Sequence, residues 1–202
     1  MARSAWSSGL RIVTGWSREL RLLRQSGARI EPGLSRIELA SAEEIVGAQF
    51  PPDLADFLRT ALPVGERFPN WRELTSTAIA DVLAGPFSGI AFDIEQNSFW
   101  WPAWETRPPV LEDALEIARR HIASAPRLIP VYGHRYLASS PSEIGNPVFS
   151  VHQTDVIYYG RDLRSYVAHE FGRMTFREAT TPEPRKIAFW SELVAANSAP
   201  SA

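Results

Sequence analysis

The sequence predicts a single α+β domain. Three observations carry the expectation. Apolar residues recur at helical spacing in several segments, while other segments alternate or run apolar over strand lengths. Neither an internal repeat nor a second compositional regime divides the chain. At 202 residues, 45% hydrophobic and 22% charged, it is long enough for one real core plus tails.

In chain order, Val13, Trp16, Leu20 and Leu23 form one apolar stripe at helical spacing, so a first helix should dock on the domain. GARIEPG is then a connector punctuated by glycine and proline. Ser35 starts a helix, with Glu38 three residues on for a capping box and Leu39, Ala42 and Val46 on one face. In FPPDLADFLRTAL, Pro52 suits the first helical position and Asp53 suits the positive N-terminal end. Leu54, Phe57, Leu58, Ala61 and Leu62 follow helical spacing. LPVGERFPNWREL is a loop, and residues 75–84 form a further turn or two of helix.

GIAFDIEQNSFW alternates, with Ile90, Phe92 and Ile94 on one side and Asp93, Glu95 and Asn97 on the other. It predicts a half-buried strand. WPAWETRPP is a proline-broken loop, and VLEDALEIARRHIASA an amphipathic helix with Leu111, Leu115, Ala118 and Ile122 inward. RLIPVYGHRYL reads as a strand bent at Gly133, and NPVFSV and VIYYG as two more strands. RDLRSYVAHEFG is a helix starting near Asp162. RKIAFWSELVAA is the last helix, before a small-residue tail, NSAPSA, expected to be disordered.

No apolar run in this reading approaches the ~18–20 residues of a membrane span, so no membrane is expected and the cytoplasm is the expected location. The absence of cysteine excludes disulfides, thiolate metal sites and cysteine nucleophiles. Charge is uneven. Residues 1–36 hold seven arginines against two glutamates, a net of +5; with −2 for the whole chain, residues 37–202 carry −7. An acidic body repels nucleic acid and suits a basic protein partner. The arginine-rich start also resembles a transit peptide, but the docked helix is the preferred reading.

Candidate chemistry centres on NPVFSVHQTDVIYYG. On one unbroken strand His152 and Asp155 would face opposite ways; if the chain turns at HQTD, they flank a hairpin loop. The hairpin is preferred, with the pair as the polar tip of a turn. HEFGR lacks the second histidine of a zinc-protease helix, since Arg173 stands there. GPFSG misplaces its serine for a nucleophile elbow. On a strand, Asp93 and Glu95 would share a face about 6–7 Å apart, fit for a metal or an acid/base pair, or simply for water. Trp71, Phe99, Trp100, Trp101 and Trp104 crowd two loops; adjacent Trp100 and Trp101 cannot both face a core in extended chain. An aromatic patch rimmed by Asp93 and Glu95 suits a basic protein partner.

SRIELASAEEIVGAQFPPDLADFLRTALPVG, GIAFDIEQNSFWWP, RLIPVYGHRYL and NPVFSVHQTDVIYYGRDLRSYV, in this order, resemble the SUKH superfamily of cell-wall assembly regulator-like domains. The resemblance covers residues 34–194. It implies a single α+β domain with a central, largely antiparallel β-sheet and flanking helices, preceded by a basic extension (residues 1–33) with one amphipathic helix and followed by a tail (residues 195–202). It also implies a non-enzymatic activity: bacterial members are typically immunity proteins that neutralise a cognate toxin, often a nuclease or deaminase, and fungal relatives are regulatory scaffolds. It brings no catalytic residues and no cofactor.

The sequence therefore leads to a cytoplasmic protein-binding module with a basic partner, bound through Trp71, Asp93, Glu95, Trp100, Trp101 and Trp104. The alternative from another class is a small hydrolase using His152 with Asp155, or a metal on Asp93 and Glu95. Self-association or nucleic-acid binding through the basic first helix are further alternatives.

Overall fold

The computed structural model describes residues 15–198. Val13, expected on the first helical stripe, and the last four residues of the tail lie outside the described residues. The first elements are α1 (Ser17–Gln25), β1 (Arg29–Pro32), α2 (Arg36–Val46), α3 (Pro52–Thr60) and β2 (Ala61–Val64). The capping box at the start of α2 forms: the Glu38 N–H donates to Ser35 Oγ at 3.2 Å and the Ser35 N–H to Glu38 Oε2 at 2.7 Å. Pro52 opens α3 as expected.

Helix α3 stops at Thr60, so Ala61 and Leu62 are not helical. They pair instead in an antiparallel ribbon with β1, Glu31 opposite Leu62 and Pro32 opposite Ala61. The supposed connector GARIEPG thus carries a strand. The Leu34 N–H donates to Leu58 O at 2.8 Å, occupying a carbonyl that the end of α3 leaves free.

Next come α4 (Thr77–Gln96), α5 (Leu111–Ser124), β3 (Leu128–Tyr132), β4 (Arg135–Ala138), β5 (Val148–His152) and β6 (Asp155–Gly160), followed by α6 (Leu163–Glu170), α7 (Phe176–Ala179) and α8 (Trp190–Ser198). Strands β3 to β6 form an antiparallel sheet in chain order. Gly133, expected to bend one strand, lies in the turn between two, with φ +52° and its N–H donated to Arg67 O at 2.7 Å.

Alternating side chains give this sheet two apolar faces. Ile129, Leu137 and Val148 join a core with α1, α2, α3 and α6 that includes Trp16, Phe57, Trp71 and Tyr166. Leu128, Tyr136, Ala138, Phe149 and Val151 join a second core with α4, α5 and α8 that includes Ile90, Trp104 and Trp190. The basic N-terminal segment contributes to the first: Trp16, Leu20 and Leu23 are buried, and Trp16 Nε1 donates to Asp56 Oδ2 at 2.8 Å.

Residues 90–96 are helix rather than strand. They form the last turns of α4, a 20-residue helix with Pro86 inside it. Its buried positions, Ile79, Pro86, Ile90, Asp93 and Ile94, follow helical spacing, while Phe92 is 47% exposed. Proline leaves Val82 O without its intrahelical donor, and the Tyr136 hydroxyl supplies one at 2.9 Å. A Cβ at residue 85 would stand 2.7 Å from that hydroxyl, so Gly85 makes room for it. A Cβ at residue 89 would stand 2.8 Å from Gln153 Cα, so Gly89 lets the β5–β6 turn rest on the helix. GPFSG is the seat on which the sheet lies. By length and composition alone α4 meets the requirement for crossing a membrane, which corrects the reading that no segment does; in this fold its inner face packs on the sheet.

The expected tail also differs, because α8 continues to Ser198. β6 is an edge strand, and Asn197 Nδ2 donates to the carbonyls of Thr154, in the turn before it, and of its own Val156 at 2.8 and 3.3 Å.

Candidate functional site

The C-terminal end of α4 organises the site. Asp93 is only 4% exposed. Its Oδ2 accepts from the Thr154 N–H at 2.8 Å and the Thr154 hydroxyl at 2.6 Å, and its Oδ1 accepts from Asn97 Nδ2 at 2.6 Å. Burial pushes the Asp93 carboxyl up, but the Thr154 and Asn97 hydrogen bonds and nearby His152 together hold it below its ordinary value. Asp93 therefore fastens the hairpin tip to the helix. Glu95, two residues on, is exposed, because positions i and i+2 lie roughly 160° apart around a helix axis. The two carboxylates point apart and cannot share a metal or a proton.

The chain then folds back over the second core. The Phe99 N–H donates to Asp93 O at 2.9 Å, and Arg107 Nη2 donates to Ile94 O at 2.8 Å, occupying carbonyls at the helix end. Trp104, 8% exposed, is stacked between His121 (5.7 Å, 17°) and Phe189 (6.2 Å, 15°). Phe99 and Trp100 meet it edge-on at 6.0 and 5.1 Å. Trp100 Nε1 donates to Glu105 O at 2.8 Å, and Trp101 lies edge-on to Phe189 at 6.0 Å. The Glu105 carboxylate bridges Arg120 and His121 of α5, and its bond to His121 is the first cause holding it below its ordinary value. The result is a braced loop with Trp104 inside and Trp100, Trp101 and Phe99 half-buried at its surface.

Of the six predicted binding residues, the structure thus brings Trp100, Trp101 and Trp104 together and leaves Glu95 exposed on the preceding helix. Asp93 is withdrawn into a structural hydrogen-bond cluster. Trp71 is corrected as well: it is 2% exposed, packed edge-on against Phe50 at 5.3 Å in the first core, across the sheet from Trp100, Trp101 and Trp104. Its loop position gave no hint of depth, because a loop closing over a core buries its aromatic anchor as fully as a helix does.

His152 and Asp155 flank the two-residue turn Gln153–Thr154 as a paired strand end, with Gln153 at φ 57°, as the hairpin reading expects. The His152 ring lies 6.4 Å from that of His134. His169 Nδ1 is 2.8 Å from Met174 O and, facing a carbonyl, must donate its proton there. No cluster of three or more His, Asp or Glu positioned for a metal occurs among the described residues.

Sequence reasoning missed Arg135, 8% exposed within the sheet. Its Nη1 donates to Ser150 Oγ at 2.8 Å, its Nε lies 3.3 Å from Glu170 Oε2, and its guanidinium lies 3.7 Å over the Tyr159 ring. These partners come from three different elements, so no local pattern announces them. The arrangement neutralises a buried charge.

Comparison with known proteins gave no match: no family model, no curated protein and no solved structure matches this chain.

Proposed function

We propose that this protein is a non-enzymatic protein-binding module that covers a basic partner, as the SUKH resemblance implies for an immunity protein that neutralises a cognate toxin. The observation that supports this reading best is the aromatic surface of the α4–α5 loop. Trp100 and Trp101 stand partly exposed on a support that Trp104, Phe189, His121 and Glu105 already hold in place. Tryptophan on a rigid support loses little side-chain freedom on binding, the condition under which it anchors an interface. Exposed Glu95 on α4 and Glu112 and Asp113 in the first turn of α5 supply negative charge on the flanking helices. Charge of that sign speeds encounter with a basic protein.

Asp93 and Trp104 are structural in this reading, so the informative variants are Trp101→Ala and Glu95→Lys, which leave the braces intact. Tagged protein is used to capture partners from native lysate, and the affinity of each captured partner is then measured. The expected result is one stoichiometric basic partner whose affinity falls at least about thirtyfold with Trp101→Ala, the loss of an anchor worth ~2 kcal/mol, and less with Glu95→Lys. A partner held equally well by both variants would remove the aromatic surface from the mechanism.

A further inference from the structure

A second surface has the opposite character. Between α1 and the α6–α7 segment lies an open cleft of about 680 Å³, whose lining includes charged Arg18, Arg173 and Glu178 and apolar Leu22, Phe171 and Met174. The Glu178 carboxylate is occupied: it accepts the Thr175 N–H at 2.8 Å and the Thr175 hydroxyl at 2.7 Å in the cap of α7.

The arginines around the cleft are not occupied. Arg164 is taken by Glu19 at 3.0 Å and Arg135 by Glu170 at 3.3 Å. Arg18, Arg21, Arg24, Arg173 and Arg177 are all exposed, and none has a carboxylate partner among the described residues. Arg18, Arg21 and Gln25 follow one another at helical spacing, so the positive charge continues along the helix edge that borders the cleft. Arg18 and Arg173 line the cleft itself, without a carboxylate partner among the described residues, so its edges are positive on a chain whose net charge is −2.

We infer that this cleft binds an acidic peptide segment of a partner protein, with an apolar side chain on the Leu22–Phe171–Met174 lining and carboxylates on Arg18 and Arg173. Guanidinium groups pair carboxylates through two parallel hydrogen bonds, and Met174 lets the lining adapt to the side chain it receives. A nucleic-acid backbone would use the arginines but would leave the apolar lining uncovered. An acidic peptide carrying an apolar residue uses both. The site is independent of the aromatic surface and lies on the other side of the sheet, among elements of the first core.

The test is fluorescence anisotropy on the full chain with a labelled octapeptide of glutamate and aspartate around a central Leu-Phe pair. Its comparators are the same peptide with Ser-Ser at the centre and a single-stranded DNA of similar charge. Saturable binding of the Leu-Phe peptide is expected, with affinity at least about tenfold lower for the Ser-Ser peptide and again for R18E/R173E. The milder R18Q/R173Q pair guards against misfolding, each variant's thermal unfolding is recorded, and Trp101→Ala is expected to bind the peptide normally. Absence of peptide binding, equal binding by R18Q/R173Q, or tighter binding of the DNA overturns the inference.

Discussion

On the second face of the four-stranded sheet one helix, α4, is of a different kind from three helices on the first. On the first face, α2, α3 and α6 carry their own start signals: the Ser35–Glu38 box, Pro52, and Asp162 with Ser165. On the second face, α4 contains Gly85, Pro86 and Gly89, residues that weaken an isolated helix. It is completed from outside, by Tyr136 on Val82 O and by the hairpin tip lying on Gly89 and Asp93. A helix that satisfies its own ends is visible in its sequence. A helix whose polar groups are satisfied by distant strands is not.

The two cores should still be equally firm, since packing does not depend on how the helices were specified. Trp71 and Trp190 are each 2% exposed, one per core. Trp71→Ala and Trp190→Ala are each expected to lower the unfolding free energy by about 3–5 kcal/mol in urea titrations. A loss below about 1 kcal/mol at either would show that one core is loose.

The next largest effect belongs to Asp93. Asp93→Ala strands the Thr154 N–H and hydroxyl and is expected to cost about 2–3 kcal/mol. Glu95→Ala, on the exposed side, is expected to stay within about 0.5 kcal/mol. Equal losses would return the pair to one face and break the helical assignment.

Tyr136→Phe should cost about 1 kcal/mol through its lost bond to Val82 O. Combined with Pro86→Ala, which restores an N–H to α4, the same substitution should cost half of that or less. Identical costs in both backgrounds would mean that the hydroxyl does not stand in for the missing donor.

The smallest effect is the difference in acid response of the two buried aspartates. Asp53 is pushed up from 3.8 by burial, against the Gly145 and Leu54 N–H groups that it accepts; Asp93 is held below 3.8. Ionised Asp93 stabilises the fold above pH 3.8, and that contribution is lost as pH falls through its lower folded value. Asp53 has the reverse sign: stability falls as pH rises from 3.8 through its raised folded value. Urea midpoints from about pH 3 to about pH 6 should therefore change slope in opposite directions for Asp93→Asn and Asp53→Asn. Parallel slopes would contradict these environments.

Much of the fold was legible before the structure. The capping box at Ser35, the start of α3 at Pro52, α5, the β5–β6 hairpin around HQTD and the onset of α6 at Asp162 all stand where local chemistry places them. The candidate site was legible in part. WW in a proline-broken loop announced that the two tryptophans could not both face the core, leaving one exposed or covered by a loop; Trp100 and Trp101 are both partly exposed. That Trp104 lies beneath them, stacked between His121 and Phe189, depends on α5 and the approach to α8, which lie about 17 and 85 residues away in sequence.

By itself, the sequence determined the elements whose stability is local: apolar spacing, side-chain caps and turn residues act within a few positions of each other. The tertiary structure decided everything that a distant partner must complete. It made residues 90–96 helix, because the sheet offers a hydroxyl to Val82 and a hairpin tip to Gly89. It turned Asp93 inward and Glu95 outward, because a helix separates positions that a strand would align. It buried Trp71 and left Trp100 and Trp101 partly exposed, because burial follows from what covers a residue. Identical side chains in similar loops therefore came to different ends.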